Sequence, residues 1–314
     1  MFDYNLINDV LYEYLEGARL DSFKFIKSLN NIILKNRIKH KEPIYSEKVD
    51  LEYSVEIAYK FFLYISEGYA EYFGKRLNDG TITFSENFEF GQSFYDLSSR
   101  RSVVQIPVTN SIHDSFVLVH EVLHDMNLNR GSYSDARMLF TETISLLGEF
   151  LYRDFLIKYN FLEKDNYKRL IQDFLNIRMI SRQADFEIKL SEQFIQNGYV
   201  STDFLKDLYS SYDNDIVASC IGSLIEYEQL NIDYDQRYII AALLSCYMYD
   251  RIKSNHTRLY EFGDINEMIN DVDFETIMDY IDLDYDEQNQ EYFIFTDKTL
   301  NKLEKCYRKE LNNL

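Results

Sequence analysis

The sequence predicts a mostly α fold with one small β-sheet, and three observations carry that expectation. Only two prolines and ten glycines interrupt 314 residues, of which 46% are apolar, so long helices are favoured over a turn-rich sandwich. Most of the chain places apolar residues at the spacing of a helix face. The period drops towards two only between Gly80 and Val108, where short β-branched runs concentrate. A chain of this length can bury its own core, and we read residues 1–314 as a single domain.

Residues 1–80 read as a helical scaffold. Leu11, Leu15, Ile26, Leu29 and Ile33 mark the buried faces of two helices within 3–38. Lys39-His40-Lys41-Glu42-Pro43 breaks the pattern and makes His40 a solvated loop residue. A further helical stretch runs from about Asp50 to Leu77 and ends at Asn78-Asp79-Gly80. Residues 81–110 follow as a sheet of two to four strands, in which Thr81, Thr83, Phe88 and Phe90 alternate with other partners. The last strand, Val103 to Val108, contains Pro107, which cannot donate to a ladder and therefore predicts a sheet edge. An edge there is free to pair with an extended peptide. This makes Val104, Gln105 and Ile106 the candidate substrate strand.

The chemistry concentrates in residues 111–260. Val119-His120-Glu121-Val122-Leu123-His124-Asp125 lies in an apolar run without glycine or proline, with Asp114 or Ser115 as helix cap. Histidines four apart share one helix face, and two neutral imidazoles in that position can hold a zinc ion at about 2.0–2.1 Å each. Glu121 lies beside such an ion as general base. The competing interpretation is a buried helix whose histidines bond only to other side chains. A third ligand is required, and after the polar stretch 127–134 a second apolar helix begins near Asp135. Glu142, Ser145 and Glu149 fall on one face of it, at i, i+3 and i+7. A carboxylate on an apolar face is costly unless paired or metal-bound, so Glu142 is the natural third ligand of one zinc per chain. Glu149 lies two turns on and is placed to accept a hydrogen bond from a ligand imidazole.

The formal charge of −20, from 33 basic and 53 acidic residues, argues against nucleic acid or an anionic membrane as a partner. Cys220, Cys246 and Cys306 are odd in number and far apart, which suits reduced, packed thiols. The first residues show neither a basic segment nor an apolar core of a signal peptide, and no apolar run reaches membrane-spanning length. A soluble cytoplasmic protein is expected. Residues 261–314 are acidic and read as a solvated surface; a calcium loop there lacks its central glycine. Within this segment Glu291 to Phe295 suggests a strand and Lys298 to Asn313 a closing helix.

With these residues set out, the sequence resembles the thimet oligopeptidase and oligoendopeptidase F family of zinc metallopeptidases. Glu142, Ser145 and Glu149 match the order on that family's ligand helix. Phe94-Tyr95-Asp96-Leu97 and Val103 to Val108 are similar to its preceding strands, and Arg182-Gln183-Ala184-Asp185-Phe186-Glu187 with Gly198 and Thr202 is similar to a later segment. The resemblance covers roughly residues 45–260 and implies a zincin-like metallopeptidase fold acting on peptides. It departs from the family in carrying Leu123 and Asn127 where the family has glycine and histidine, in a shorter interval between His124 and Glu142, and in a chain of roughly half the usual length. The family also stabilises the oxyanion with a histidine and tyrosines on a late helix. The corresponding stretch, Asp235 to Asp250, has no histidine. The resemblance implies Tyr249, or else Tyr247, as the phenol, with Arg237 replacing the histidine and His256 as a weaker alternative.

The expected function is hydrolysis of peptide bonds in oligopeptides by a zinc-activated water, with Glu121 taking its proton and passing one to the leaving amine. The alternative from another class is a zinc-containing binding protein with weak or no catalysis. An acidic decoy that uses no metal is a third.

Overall fold

The computed structural model describes residues 4–36, 48–128, 135–161, 168–254, 259–269, 271–288 and 292–313. His40 and its loop, residues 129–134 and His256 lie outside them. Two helices, α1 (Tyr4–Tyr14) and α2 (Lys24–Lys35), are separated by a 3-10 turn at Leu20–Phe23. The stretch expected as one helix from Asp50 is two, α3 (Leu51–Ile65) and α4 (Glu67–Asn78). Asp50 caps the first by accepting the Tyr53 N–H at 2.8 Å. Ser66 is extended between the two helices and caps the second through Tyr69 N–H at 3.3 Å. A serine hydroxyl that can satisfy a free helix N–H offers the chain a stop and a restart.

Strands β1 (Ile82–Ser85), β2 (Gln92–Asp96) and β3 (Arg101–Pro107) form one sheet in the order β1-β3-β2, parallel on one side of β3 and antiparallel on the other. The expectation of an edge at Val104, Gln105 and Ile106 is therefore corrected. They are central, with Val104 and Ile106 fully buried. Pro107 is tolerated because it closes the strand, and the ladder resumes beyond it where Val108 N–H donates to the Ser85 carbonyl at 3.1 Å. The exposed antiparallel edge is β2.

Helix α5 (Ile112–Leu128) follows directly. It begins before the expected caps: Ser111 Oγ accepts the His113 N–H at 3.3 Å, while Asp114 reaches back to the N–H groups of Thr109 and Asn110 at 3.0 and 2.9 Å. Phe116, Leu118, Val119, Val122 and Leu123 are buried, so α5 is apolar almost all round, as a central helix must be. Its rotation is fixed by Asp125. Arg76 of α4 donates to both Asp125 oxygens at 2.7 and 2.9 Å and to Ser102 Oγ of β3 at 2.8 Å, and the Tyr72 hydroxyl adds a bond of 2.7 Å. Arg76→Ala leaves the buried Asp125 carboxylate, next to His124, without its guanidinium partner. It is expected to cost about 3–5 kcal/mol, read from the shift in urea midpoint, and a loss below about 1 kcal/mol would show the pair to be dispensable.

The remaining elements are α6 (Asp135–Lys158), α7 (Lys168–Asn197), α8 (Thr202–Ser210), α9 (Asn214–Tyr227), α10 (Ile232–Ser254), α11 (Leu259–Met268), α12 (Phe274–Tyr280), β4 (Tyr285–Gln288), β5 (Tyr292–Phe295) and α13 (Asp297–Asn313). Helix α6 packs against both α5 and α10, and α10 also packs on α7 and α13. The acidic segment is more than a solvated surface. Ile265, Phe274, Ile277, Leu303 and Tyr307 are buried, and the expected strand pairs with β4, which the acidic run concealed. All three cysteines are buried and free. No described helix is long and apolar enough to cross a membrane.

Candidate active site

Helices α5 and α6 bring the three expected donors together. His120 Nε2 lies 2.9 Å from His124 Nε2, and Glu142 Oε2 lies 3.4 and 3.3 Å from these two nitrogens. Tetrahedral ligands at zinc distances of about 2.0–2.1 Å are separated by roughly 3.3 Å, so the set fits a zinc ion in both donor chemistry and spacing. Two imidazole nitrogens facing one carboxylate oxygen is also the arrangement a cation accounts for best among His120, His124 and Glu142, the described cluster of potential ligands. Glu149, buried on α6, places Oε1 2.7 Å from His120 Nδ1. A carboxylate there holds the proton on Nδ1 and leaves Nε2 free to coordinate. Ser145, between the two glutamates, bonds the His120 carbonyl at 3.2 Å. Burial opposes ionisation of Glu142, but the charge of His124 and the hydrogen bond from His120 hold it well below the usual carboxylate range.

Two glycines that drew no attention in the sequence set the clearances. A Cβ on Gly148 would lie 2.2 Å from Leu123 Cδ1, so α6 approaches α5 closely just where Glu149 reaches His120. A Cβ on Gly91 would lie 2.3 Å from Val117 Cγ1 and 3.1 Å from Glu121 Oε1. The segment leading into β2 therefore runs against the turn of α5 that carries Glu121, whose carboxylate lines a cleft of about 990 Å³. Phe90, Gly91, Gln92 and Ser93 form one wall of that cleft beside the donors. The free sheet edge adjoining the site is thus β2, in place of the strand proposed from Pro107.

Helix α10 also lines the cleft, through Tyr234, Arg237, Tyr238 and Ala241 at i, i+3, i+4 and i+7. Tyr238 shares a 2.7 Å hydrogen bond with the Tyr234 hydroxyl. Burial, then the nearby charge of Glu142, push its phenol far above the ordinary tyrosine value, so it stays a hydrogen-bond donor. Tyr249 and Tyr247 are elsewhere, which corrects their expected role. Tyr249 is buried, donating to Asp154 Oδ2 at 2.5 Å and accepting from Arg153 at 2.6 Å. Tyr247 donates to the Ile281 carbonyl at 2.9 Å. Eleven residues are just over three whole turns, so Tyr249 has nearly the phase of Tyr238 but lies about 16 Å further along the axis. Arg237 does line the cleft.

No family model matches the sequence, and no curated protein does. Solved structures match at the level of fold. An assigned oligoendopeptidase F from Bacillus anthracis superposes with a TM-score of 0.58 at 13% identity, over 100% of this chain and 57% of that one. An assigned peptidase from Chlamydophila abortus gives 0.56 at 15% identity, over 100% and 56%. PZ peptidase A with an inhibitor gives 0.57 at 13%, over 100% and 59%. The chain spans a little over half the length of these proteins. It has a mostly helical, zincin-like fold. Its fold is similar to the part of these peptidases that it spans.

Proposed function

We propose that this chain is a zinc-dependent metallopeptidase that hydrolyses peptide bonds in oligopeptides. The observation that carries the proposal is the convergence of His120, His124 and Glu142 beside Glu121 in a cleft walled by a free strand edge. The chemistry that zinc supplies in such a set is Lewis acidity, which makes water acidic near neutral pH and polarises a carbonyl. His120, His124 and Glu142 hold the ion, and Glu149 keeps His120 in the coordinating tautomer. An extended substrate lies against the segment from Phe90 to Ser93 by strand addition. Glu121 takes the proton of the attacking water and delivers one to the leaving amine. Tyr238 donates its hydroxyl to the oxygen that becomes negatively charged.

The test is turnover of a fluorogenic oligopeptide mixture by zinc-loaded protein, with metal content measured on the same sample. Tyr238→Phe is expected to lower turnover by roughly 10- to 1,000-fold at unchanged zinc content. Tyr249→Phe, which loses hydrogen bonds with Asp154, Arg153 and Lys253 away from the cleft, is expected to cost stability of about 1–3 kcal/mol and to leave turnover within about twofold. The opposite pattern would return the role to Tyr249. Stoichiometric zinc with no turnover of any peptide would favour a zinc-containing binding protein.

A further inference from the structure

The first turn of α10 is held from outside the helix. Glu187 of α7 is fully buried and accepts the Ile232 N–H at 2.8 Å through Oε2. A carboxylate from another element thus caps the end where the helix dipole favours negative charge. Asp235 lies in the same turn, is 5% exposed, and has no hydrogen-bond partner for Oδ2 among the described residues. Cys220 of α9, also buried, closes the junction, its Sγ 3.8 Å from the Gln183 carbonyl. The titratable groups facing Asp235 are therefore Glu187 from α7 and Cys220 from α9, with the Tyr212 phenol behind the thiol. The flanking charges of α7 are engaged elsewhere: Asp185 with Lys189 and Tyr212, Arg182 with Asp213, and Glu192 with Lys27. Burial, then the charge of Glu187, push the Asp235 carboxyl up to about 8. Burial also pushes the Cys220 thiol far above its ordinary value. Near neutral pH the junction holds one negative charge, on the cap.

We propose that Glu187 and Asp235 are positioning residues, which together seat the first turn of α10, and with it Tyr238, only while Asp235 is protonated. This rests on the peptidase reading of the cleft. Tyr234 adjoins Asp235 and Tyr238 lies about one turn on; both line the cleft and share a hydrogen bond of 2.7 Å. Loss of the Asp235 proton puts a second negative charge into a buried junction, beside the carboxylate that caps the helix. Like charges at close range in a low dielectric repel strongly. The way to solvent for Asp235 takes the first turn of α10 with it, the Tyr238 hydroxyl leaves the cleft, and turnover falls on the alkaline side through kcat. Neither carboxyl touches substrate; both act through Tyr238. The same proton is linked to stability. Because the folded value of Asp235 lies above the unfolded one, its contribution is fully present below the unfolded value of about 3.9. It is lost as pH rises through the folded value of about 8.

The experiment compares zinc-loaded wild type with Asp235→Asn, which keeps the volume and has no proton to lose. Peptide turnover, thermal unfolding and alkylation of Cys220 by iodoacetamide are followed from about pH 6.5 to about pH 9.5, a range that spans the ionisation. Mass spectrometry maps the alkylation, with buried Cys246 as internal reference. The two proteins are expected to agree within about twofold in turnover at the acid end. At about pH 9, wild type is expected to fall at least about 10-fold below the variant in kcat and to alkylate at Cys220 about 10-fold faster, since one unit is a factor of ten. In Tyr238→Phe the alkaline loss of kcat is expected to shrink to that of Asp235→Asn, while the Cys220 change remains. Parallel turnover profiles in wild type and Asp235→Asn overturn the proposal, because Glu121 and any metal-bound water ionise alike in both. An alkaline loss confined to wild type with unchanged Cys220 reactivity also overturns it. Should Asp235→Asn fail to fold, wild type alone decides: Cys220 reactivity that rises with pH no faster than that of Cys246 overturns the proposal, and a steeper rise supports it. A wild-type-specific change in Cys220 and stability without turnover of any peptide supports the carboxyl pair and removes the peptidase reading. Turnover with parallel profiles does the reverse.

Discussion

Glutamine at position 121 is expected to lower peptide turnover by at least about 10²-fold while leaving the fold and zinc content intact. The substitution keeps the shape of the side chain and removes its ability to accept a proton, and general-base catalysis contributes about 10²–10⁴-fold. Glu121 is well suited to so clean an experiment. It is mostly buried against Gly91, lines the cleft, and is not one of the three clustered donors. Glutamine therefore has the same room and leaves the donors untouched. Zinc stoichiometry and near-ultraviolet circular dichroism check the second half of the expectation, and steady-state rates on the peptide mixture check the first. Wild-type turnover from a pure sample of Glu121→Gln would remove Glu121 from the chemistry altogether.

Alanine at position 142 is expected to act upstream of chemistry, by losing the metal. Loss of a group that merely supports a ligand typically costs 10- to 100-fold in metal affinity. Loss of a direct ligand should exceed about 100-fold, and turnover should disappear with the zinc. The expectation comes from the near-equal distances of Glu142 Oε2 to the two histidine nitrogens. Metal content after dialysis against a weak chelator decides it. Full zinc retention by Glu142→Ala would mean that the third donor is some other group. Glu149→Gln makes the useful comparison: it keeps the three donors but weakens the hold on His120 Nδ1, so an intermediate loss is expected.

Much of the site was legible because helix spacing is a strong constraint. The histidines at i, i+4 and the acidic positions at i and i+7 could only project from single faces of α5 and α6, and an apolar helix has few reasons to carry a carboxylate. The edge strand and the position of Tyr238 on the cleft were not legible, for different physical reasons. Pro107 removes one N–H, which is compatible with an edge and equally with the last residue of a central strand, and only the partner strands decide between them. In α10 the phase of a tyrosine is readable but its height along the helix is not. Tyr238 and Tyr249 differ by just over three whole turns and face nearly the same way. A signal did exist in Tyr234, Arg237 and Tyr238, a polar stripe at i, i+3 and i+4 on the first turns of the helix, continued by the small Ala241 at i+7. It was hidden by the abundance of tyrosine. Gly91 and Gly148 were invisible because a glycine chosen for clearance looks like any other until its neighbour is known.

That clearance bears on how such a site survives sequence drift. The resembling family carries a glycine on the ligand helix at the position of Leu123; here the small residue is Gly148, on the facing helix, and the leucine fills the space it leaves. The separation of the two helices at this crossing is set by the sum of two side-chain volumes, divisible in principle between two positions. Neither position is constrained alone, and a change at one becomes permissible only after a compensating change at the other. With Leu123 in place, the glycine at 148 is what lets the two donor-bearing helices keep their distance.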